Sequence, residues 1–579
     1  MNKTPKFDQK ITDILNQTQP GERTCSLTGD RWKLSQREID WCKKFNVPPS
    51  SWSPDARWKI LGGMLFGYEW WWNKHAETGK PILTYVHPAT GVPVLPDKEW
   101  FEKDFRDKAL DYDPATPVLD QLLKLRKTVP VNAFFNGKEP QNSISLISNG
   151  DVNSYFVIAS KSKNSFFSSD LDNGESCSEI YASSNITNSF NVVHAQRIFN
   201  SRFVRESFDC SSCYFIFDCR NCEYCFGATN KRNRKYIWMN EQLSEDEWKE
   251  RFATIKFGCR SITQKMEEDF MRLMEMQAYW PENFNVKAEN STGEYLANCT
   301  DCKDCFMVIQ GPRDNEHCYY IYGNSERNYY VIGSFYTSDN YFSSTVQDTS
   351  HSKYSINLVK CQGLEYCLNC QNCEYCFACI GLNRQRYCIL NKQYEEDEYW
   401  GKVDEIKCTM LDHGEYSNMP GPQFASSHYM ETSASESLMV TEEDQKRLGF
   451  PMFDKESSGA IGDLENATDM VDSTTVPDCI SDLDIEQWAG KAMLDKSTGR
   501  RFAFLKPELE YYKKMDIAPP TKHFFYRVDE LYWAANQFLL EETKCETCKK
   551  KIRVAKNRTY KNRKHLCRED YLKYLEENG

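Results

Sequence analysis

Cys545 and Cys548 are separated by two residues in the C-terminal stretch CETCKKKIRVAKNRTYKNRKHLCRED. That spacing puts two thiolates on one tight turn, as in a zinc knuckle, and Cys567, at the start of the last predicted helix, supplies a third ligand. Between Cys548 and Cys567 lie nine basic residues and no acid: Lys549, Lys550, Lys551, Arg553, Lys556, Arg558, Lys561, Arg563 and Lys564. On a rigid, zinc-held hairpin such a run can neutralise several phosphates of RNA, and Tyr560 could stack on a base. Two plainer readings stand beside it: a solvated hairpin, or one that docks on an acidic stretch of the same chain.

The other cysteines recur every third residue, in CRNCEYC (219–225), CTDCKDC (299–305) and CLNCQNCEYCFAC (367–379). Iron–sulfur ferredoxin runs use a similar step, but they end on a three-residue spacing and a proline that are missing here. Cysteine is also a small apolar residue suited to tight corners. Buried structural thiols, zinc ligands and an iron–sulfur cluster all remain open readings, the first being the plainest. No phosphate-cradling glycine loop, G-x-S-x-G elbow or H-E-x-x-H helix occurs, and Asp170, Asp172, Glu206, Asp209 and Asp218 show no catalytic pairing. The expectation is a non-enzymatic protein with no catalytic residues.

These residues must be positioned by a duplicated frame. NCEYCF occurs at 221–226 and again 151 positions later, at 372–377. At the same offset Cys210, Cys219, Cys222 and Cys225 fall on Cys361, Cys370, Cys373 and Cys376, and Phe190, Phe203 and Phe215 fall on Tyr341, Tyr354 and Tyr366. Within a copy, NSYF, NSFF, NSFN and NSRF begin at Asn153, Asn164, Asn188 and Asn200, a beat near 11 or 12 residues. Short apolar bursts between Asn, Ser, Asp and Gly read as stacked strands and turns. This predicts two short β-solenoids with Phe, Tyr and Cys inside and Asn at the corners. Each closes on a hairpin and a helix, the first with a Ser244/Glu247 capping box.

A second self-match, at an offset of 470, relates the chain ends. It pairs Glu38 with Glu508, Arg57 with Arg527 and Pro49 with Pro519. Just downstream AETGKPI parallels CETCKKKI, so Ala76 and Gly79 stand for the knuckle cysteines in the N-terminal copy, where Cys25 is alone.

The segments GLNRQRYCILNKQYEEDEY (381–399), VPVLPDKEWFEKDFRDKALDYDPATPVLDQLLKL and PELEYYKKMDIAPP resemble an uncharacterised cysteine-rich family. That family combines zinc-ribbon or treble-clef ends with Cys/Tyr-rich repeats, and is common in candidate-phyla bacteria with giant-virus relatives. The resemblance covers most of the chain and implies architecture, not activity. It also implies a fourth ligand three residues after Cys567; Asp570 stands there, and His565 is a nearby substitute.

The fold class expected is therefore mixed α+β and multi-domain, with two β-solenoids closed by hairpin-helix caps and flanked by treble-clef-like terminal modules. The predicted segments are a degenerate module at 20–130, solenoid copies at 145–285 and 290–415, an acidic flexible linker at 425–484, and a zinc-bearing module at 485–579. A net charge of −12 argues against wholesale nucleic-acid coating but allows a local basic patch. No run is apolar enough to span a membrane and the N-terminus lacks a signal-peptide core, so a reducing, cytoplasmic setting is expected, or a virion if the source is viral. The leading partner is RNA or a ribonucleoprotein. The alternative is a structural or assembly protein that docks proteins on its repeat faces, and a carbohydrate-active enzyme is a remote third.

Overall fold

The computed structural model describes residues 3–453 and 469–579. The chain is mixed α and β and multi-domain. It divides into two compact units, each discontinuous: Met1–Ala133 with Phe284–Asp454, and Phe134–Asn283 with Lys455–Gly579. The N-terminal module thus shares a unit with the second repeat copy, and the C-terminal module with the first.

Each repeat copy is a ladder of parallel strands. In the first, Ile180 pairs with Val192, Val192 with Val204, Val204 with Ile216 and Ile216 with Ala228, a constant step of twelve residues. Ile186, Ile198 and Cys210 form a second file at the same step. Between Asn188 and Tyr236 every third residue lies in the left-handed region, with φ of 46–61°. Each twelve-residue repeat therefore has four such bends, and the residue after most of them is buried in the ladder core. A side of three residues spans at most ~10 Å, which leaves room only for small side chains. The inward files accordingly hold Ser, Cys, Val, Ile, Leu and Ala, with Cys213, Cys219, Cys222 and Cys225 fully buried. Serine and cysteine are interchangeable there because both satisfy the backbone: Ser201 Oγ donates to Phe199 O at 2.8 Å, and Cys213 Sγ to Ser211 O at 3.3 Å. The second ladder repeats the plan, with Cys361, Cys367, Cys370, Cys373, Cys376 and Cys379 in its core.

Three expectations change at this point. The aromatic residues are not inside the ladders; neither ladder core contains one. They occupy outward positions, where they hold the terminal modules. In the first unit Trp41 lies 5.1 Å from Tyr329 and Phe45 5.2 Å from Tyr341. In the second unit Phe524 packs on Phe156 and Phe167 at 4.7 and 5.1 Å, and Tyr532 on Tyr181 at 4.3 Å. The expected flexible linker at 425–484 is structured wherever it is described: Tyr429, Ala434, Leu438 and Phe450 are buried, and the helix Glu442–Leu448 has a Thr441/Asp444 capping box. Its stretch 454–468 lies outside the described residues. Finally, Cys479 forms a disulfide with Cys259, although the expected reducing setting put metal ligands and buried thiols ahead of disulfides.

The two terminal modules have the same element order. Hairpin Gly21–Thr24/Arg31–Leu34, helices Gln36–Phe45 and Pro54–Met64, and hairpin Trp71–Lys74/Pro81–Thr84 lead to helix Asp97–Phe101. Hairpin Met493–Asp495/Arg500–Phe502, helices Lys506–Met515 and Phe524–Ala534, and hairpin Asn536–Lys544/Lys551–Asn557 lead to helix Arg568–Asn578. Asn46 and Asp516 end equivalent helices in left-handed conformation, where a short polar side chain is best tolerated. Each module buries an arginine against glutamate: Arg57 on Glu38 at 2.8 Å, and Arg527 on Glu179 at 2.6 Å with Glu508 at 3.6 Å.

Candidate metal centre and basic hairpin

The C-terminal hairpin turns through a knuckle. The Cys545 N–H donates to Lys550 O at 2.9 Å, and the Lys549 N–H to Cys545 O at 3.0 Å. This closes the chain tightly enough that Cys545 and Cys548 present their sulfurs to one side. Strand Lys564–Leu566 then delivers Cys567, the N-cap of helix Arg568–Asn578, and Asp570 follows in its first turn. Cys545 Sγ lies 3.0 Å from Asp570 Oδ2, Cys567 Sγ 3.3 Å from the same oxygen, and Cys548 Sγ 3.7 Å from Cys567 Sγ. All four donor atoms lie within 4.8 Å of one another. Accepting from Cys548, Cys545 and Cys567, the Asp570 carboxyl is held down to about 2, while the carboxylate pushes the Cys548 thiol up to about 12. The helix N-terminus adds its own attraction for negative charge. Three sulfurs and one carboxylate oxygen so arranged could hold a metal ion.

Among the described residues only one other group of three donors converges: Cys259, Asp478 and Cys479. Its two sulfurs are bonded to each other. The ladder thiols form no such group of converging donors; nearly all turn their hydrogens to carbonyls, as Cys219, Cys222 and Cys225 do to Phe217, Arg220 and Glu223 at 3.4–3.5 Å, while Cys222 also lies against Cys210, Cys219 and Cys225. His565 stays apart from the quartet. It is buried opposite Trp280 in the strand pair, and burial pushes its ring down to about 3.

The N-terminal module keeps this turn without its thiols. His75 donates from N–H to Lys80 O at 2.8 Å, and Gly79 N–H to His75 O at 3.0 Å, so His75 takes the place of Cys545. The alignment that set Ala76 against Cys545 is therefore one residue out of register. Glu99, in the first turn of helix Asp97–Phe101, takes the place of Asp570. His75 Nδ1 accepts from Glu77 and Thr78 N–H, which leaves Nε2 to donate to Glu99 at 3.1 Å. Where one module has Cys and Asp, the other has a direct His–Glu contact.

The ten residues expected to meet nucleic acid separate into two groups. Tyr560 is buried, with its ring 5.4 Å from Trp280, and is not available to stack on a base. Arg563 donates to Asn536 Oδ1 and Ala555 O, Lys564 to Met276 O, and Arg558 lies over Trp533. Arg553 faces Glu542 across the hairpin, and Lys556 is half-buried. Lys549, Lys550, Lys551 and Lys561 are exposed. Lys544, unremarked in the sequence, joins them because strand pairing places it directly opposite Lys551. Like charges so placed are destabilising on their own. At the tip Glu546 lies 3.5 Å from Lys549.

No protein-family model matches the chain, and neither do curated proteins or solved structures. Among the described residues no helix is long and apolar enough to cross a membrane.

Proposed function

We propose that this chain is a non-enzymatic scaffold that contacts RNA, or a ribonucleoprotein, through a zinc-held C-terminal hairpin. In this reading each ladder is a four-sided β-solenoid, and each terminal module is treble-clef-like, the C-terminal one holding zinc on Cys545, Cys548, Cys567 and Asp570. Zinc–sulfur bonds of ~2.3 Å give a tetrahedron edge of about 3.8 Å, close to the Cys548–Cys567 separation of 3.7 Å. Three thiolates and a carboxylate are ligands that zinc accepts.

The observation that carries the RNA reading is the Lys544–Lys551 pair at the hairpin tip, beside Lys549 and Lys550. A protein gains nothing for folding from this pairing, but a phosphate between the strands would turn repulsion into attraction. The metal below the tip would hold the lysines in place, lowering the ordering cost of binding. The test is fluorescence anisotropy with a single-stranded RNA at salt between 50 and 200 mM. Four phosphate contacts give a slope of log K on log salt of roughly −3, and replacing Lys549, Lys550 and Lys551 by Ala removes about two of those units. Absence of binding at low salt, or an unchanged slope in the triple variant, overturns the reading.

A further inference from the structure

The second unit contains a cavity of about 530 Å³, within the ~300–1,000 Å³ range of small-molecule pockets. Its walls include Phe190, Phe203 and Phe215 from the ladder, Phe270 from helix Arg260–Gln277 and Trp533 from helix Phe524–Ala534. One polar atom in this wall is buried without a partner, and a carboxylate stands beside it. Arg205 Nε is buried without a hydrogen bond. Glu267, exposed on helix Arg260–Gln277, also lines the cavity, and Arg205 is the cation that acts on it most strongly.

The sister unit shows what such a place accepts. Tyr354 and Tyr366 stand 151 residues after Phe203 and Phe215, and the two pairs stack alike, at 5.0 and 4.4 Å. In the first unit the ring of Tyr416 stands edge-on to both tyrosines, at 5.5 and 5.6 Å. Its hydroxyl donates to Glu365, which also accepts from Lys407. The second unit has no equivalent ring among the described residues: Phe203 meets Phe190 and Phe215, while Phe270 reaches Phe215 at 5.9 Å.

We propose that this cavity binds a phenol-bearing small molecule, with its ring against Phe203 and Phe215 and its hydroxyl between Arg205 and Glu267. A phenol is uncharged, donates to a carboxylate and accepts from a guanidinium, so it can meet Arg205 Nε and Glu267 together. An amine would face Arg205, and a carboxylate would face Glu267.

The experiment is calorimetric and saturation-transfer NMR titration of the full chain with p-cresol and N-acetyltyrosinamide. One saturable site is expected. Gln264→Trp, which fills the cavity from an exposed helix position, should weaken binding at least tenfold, and Phe203→Leu should also weaken it. Tyr416→Ala should open the sister site, doubling the stoichiometry and letting p-cresol raise the variant's melting temperature. No saturable binding to the native chain, or full binding by Gln264→Trp with unchanged thermal unfolding, overturns the proposal. Binding of a peptide of residues 413–424 without binding of p-cresol also overturns it and makes the site a peptide pocket.

Discussion

If the ladder thiols face inward, a thiol reagent should find almost none of them in the folded protein. Of the 25 cysteines, Cys259 and Cys479 are joined, leaving 23 thiols, of which only Cys548 is exposed and only Cys408 half-buried. Burial pushes Cys177 up to about 12, as it does Cys42, whereas Cys222 and Cys373, each bonded by three neighbouring thiols, are lowered and rely on burial alone for protection. At pH 8 a thiol like that of Cys177 is ionised about once in 10⁴ molecules, against about one in four for a free thiol, and the thiolate is the reacting form. Beyond ionisation, reaction must wait for the coil to open, which for core elements costs up to the global stability. Titrating chelator-treated protein with an aromatic disulfide reagent should therefore give a fast phase of one or two equivalents, rising to all 23 in guanidinium. Zinc-loaded protein should lose the Cys548 share of that phase. A fast phase holding most of the thiols in folded protein would refute the inward placement.

Three further predictions concern the buried charges and the ligands. Arg527→Ala strands Glu179 and Glu508 without their cation, so it should cost about 3–5 kcal/mol in urea unfolding, and a loss below about 1 kcal/mol would contradict the pairing. Burial disfavours ionised Glu365, but Lys407, Lys353 and the Tyr416 hydroxyl overcome it and hold the carboxyl at about 2, below its ordinary 4.5. Its contribution is thus complete above the ordinary value and lost as pH falls toward 2, a decline of about 3 kcal/mol that Glu365→Gln should remove from the stability–pH curve. Asp570→Ala should weaken zinc binding by more than the ~10–100-fold typical of an outer-shell partner, and Asp570→Cys should tighten it, both read by competition with a coloured chelator.

Much of the frame was legible because duplication repeats its evidence. The 151-residue offset aligned Cys219, Cys222 and Cys225 with Cys370, Cys373 and Cys376, and a thiol at every third residue is the signature of one inward position per side. The corners were harder to see. Turn chemistry points to Gly and Asn, yet Phe203, Phe215, Tyr354 and Tyr366 also adopt φ near 55°. Read as strand residues, they were expected inside, whereas the narrow coil excludes rings and turns them outward onto the modules. The nesting of the chain, with each end returning to the more distant repeat copy, leaves no local signal. The same is true of the Cys259–Cys479 bond across 220 residues. At the candidate site, Cys545, Cys548, Cys567 and Asp570 were readable from spacing and resemblance. The burial of Tyr560 and the pairing of Lys544 with Lys551 were not, because both depend on strand register.

The most direct test is the metal content of the purified full-length chain, combined with X-ray absorption at the zinc edge. One zinc per chain, with three sulfurs at ~2.3 Å and one oxygen at ~2.0 Å, is the predicted result. Several metal ions per chain, iron, or a four-sulfur shell would place ladder thiols on a metal and contradict the account.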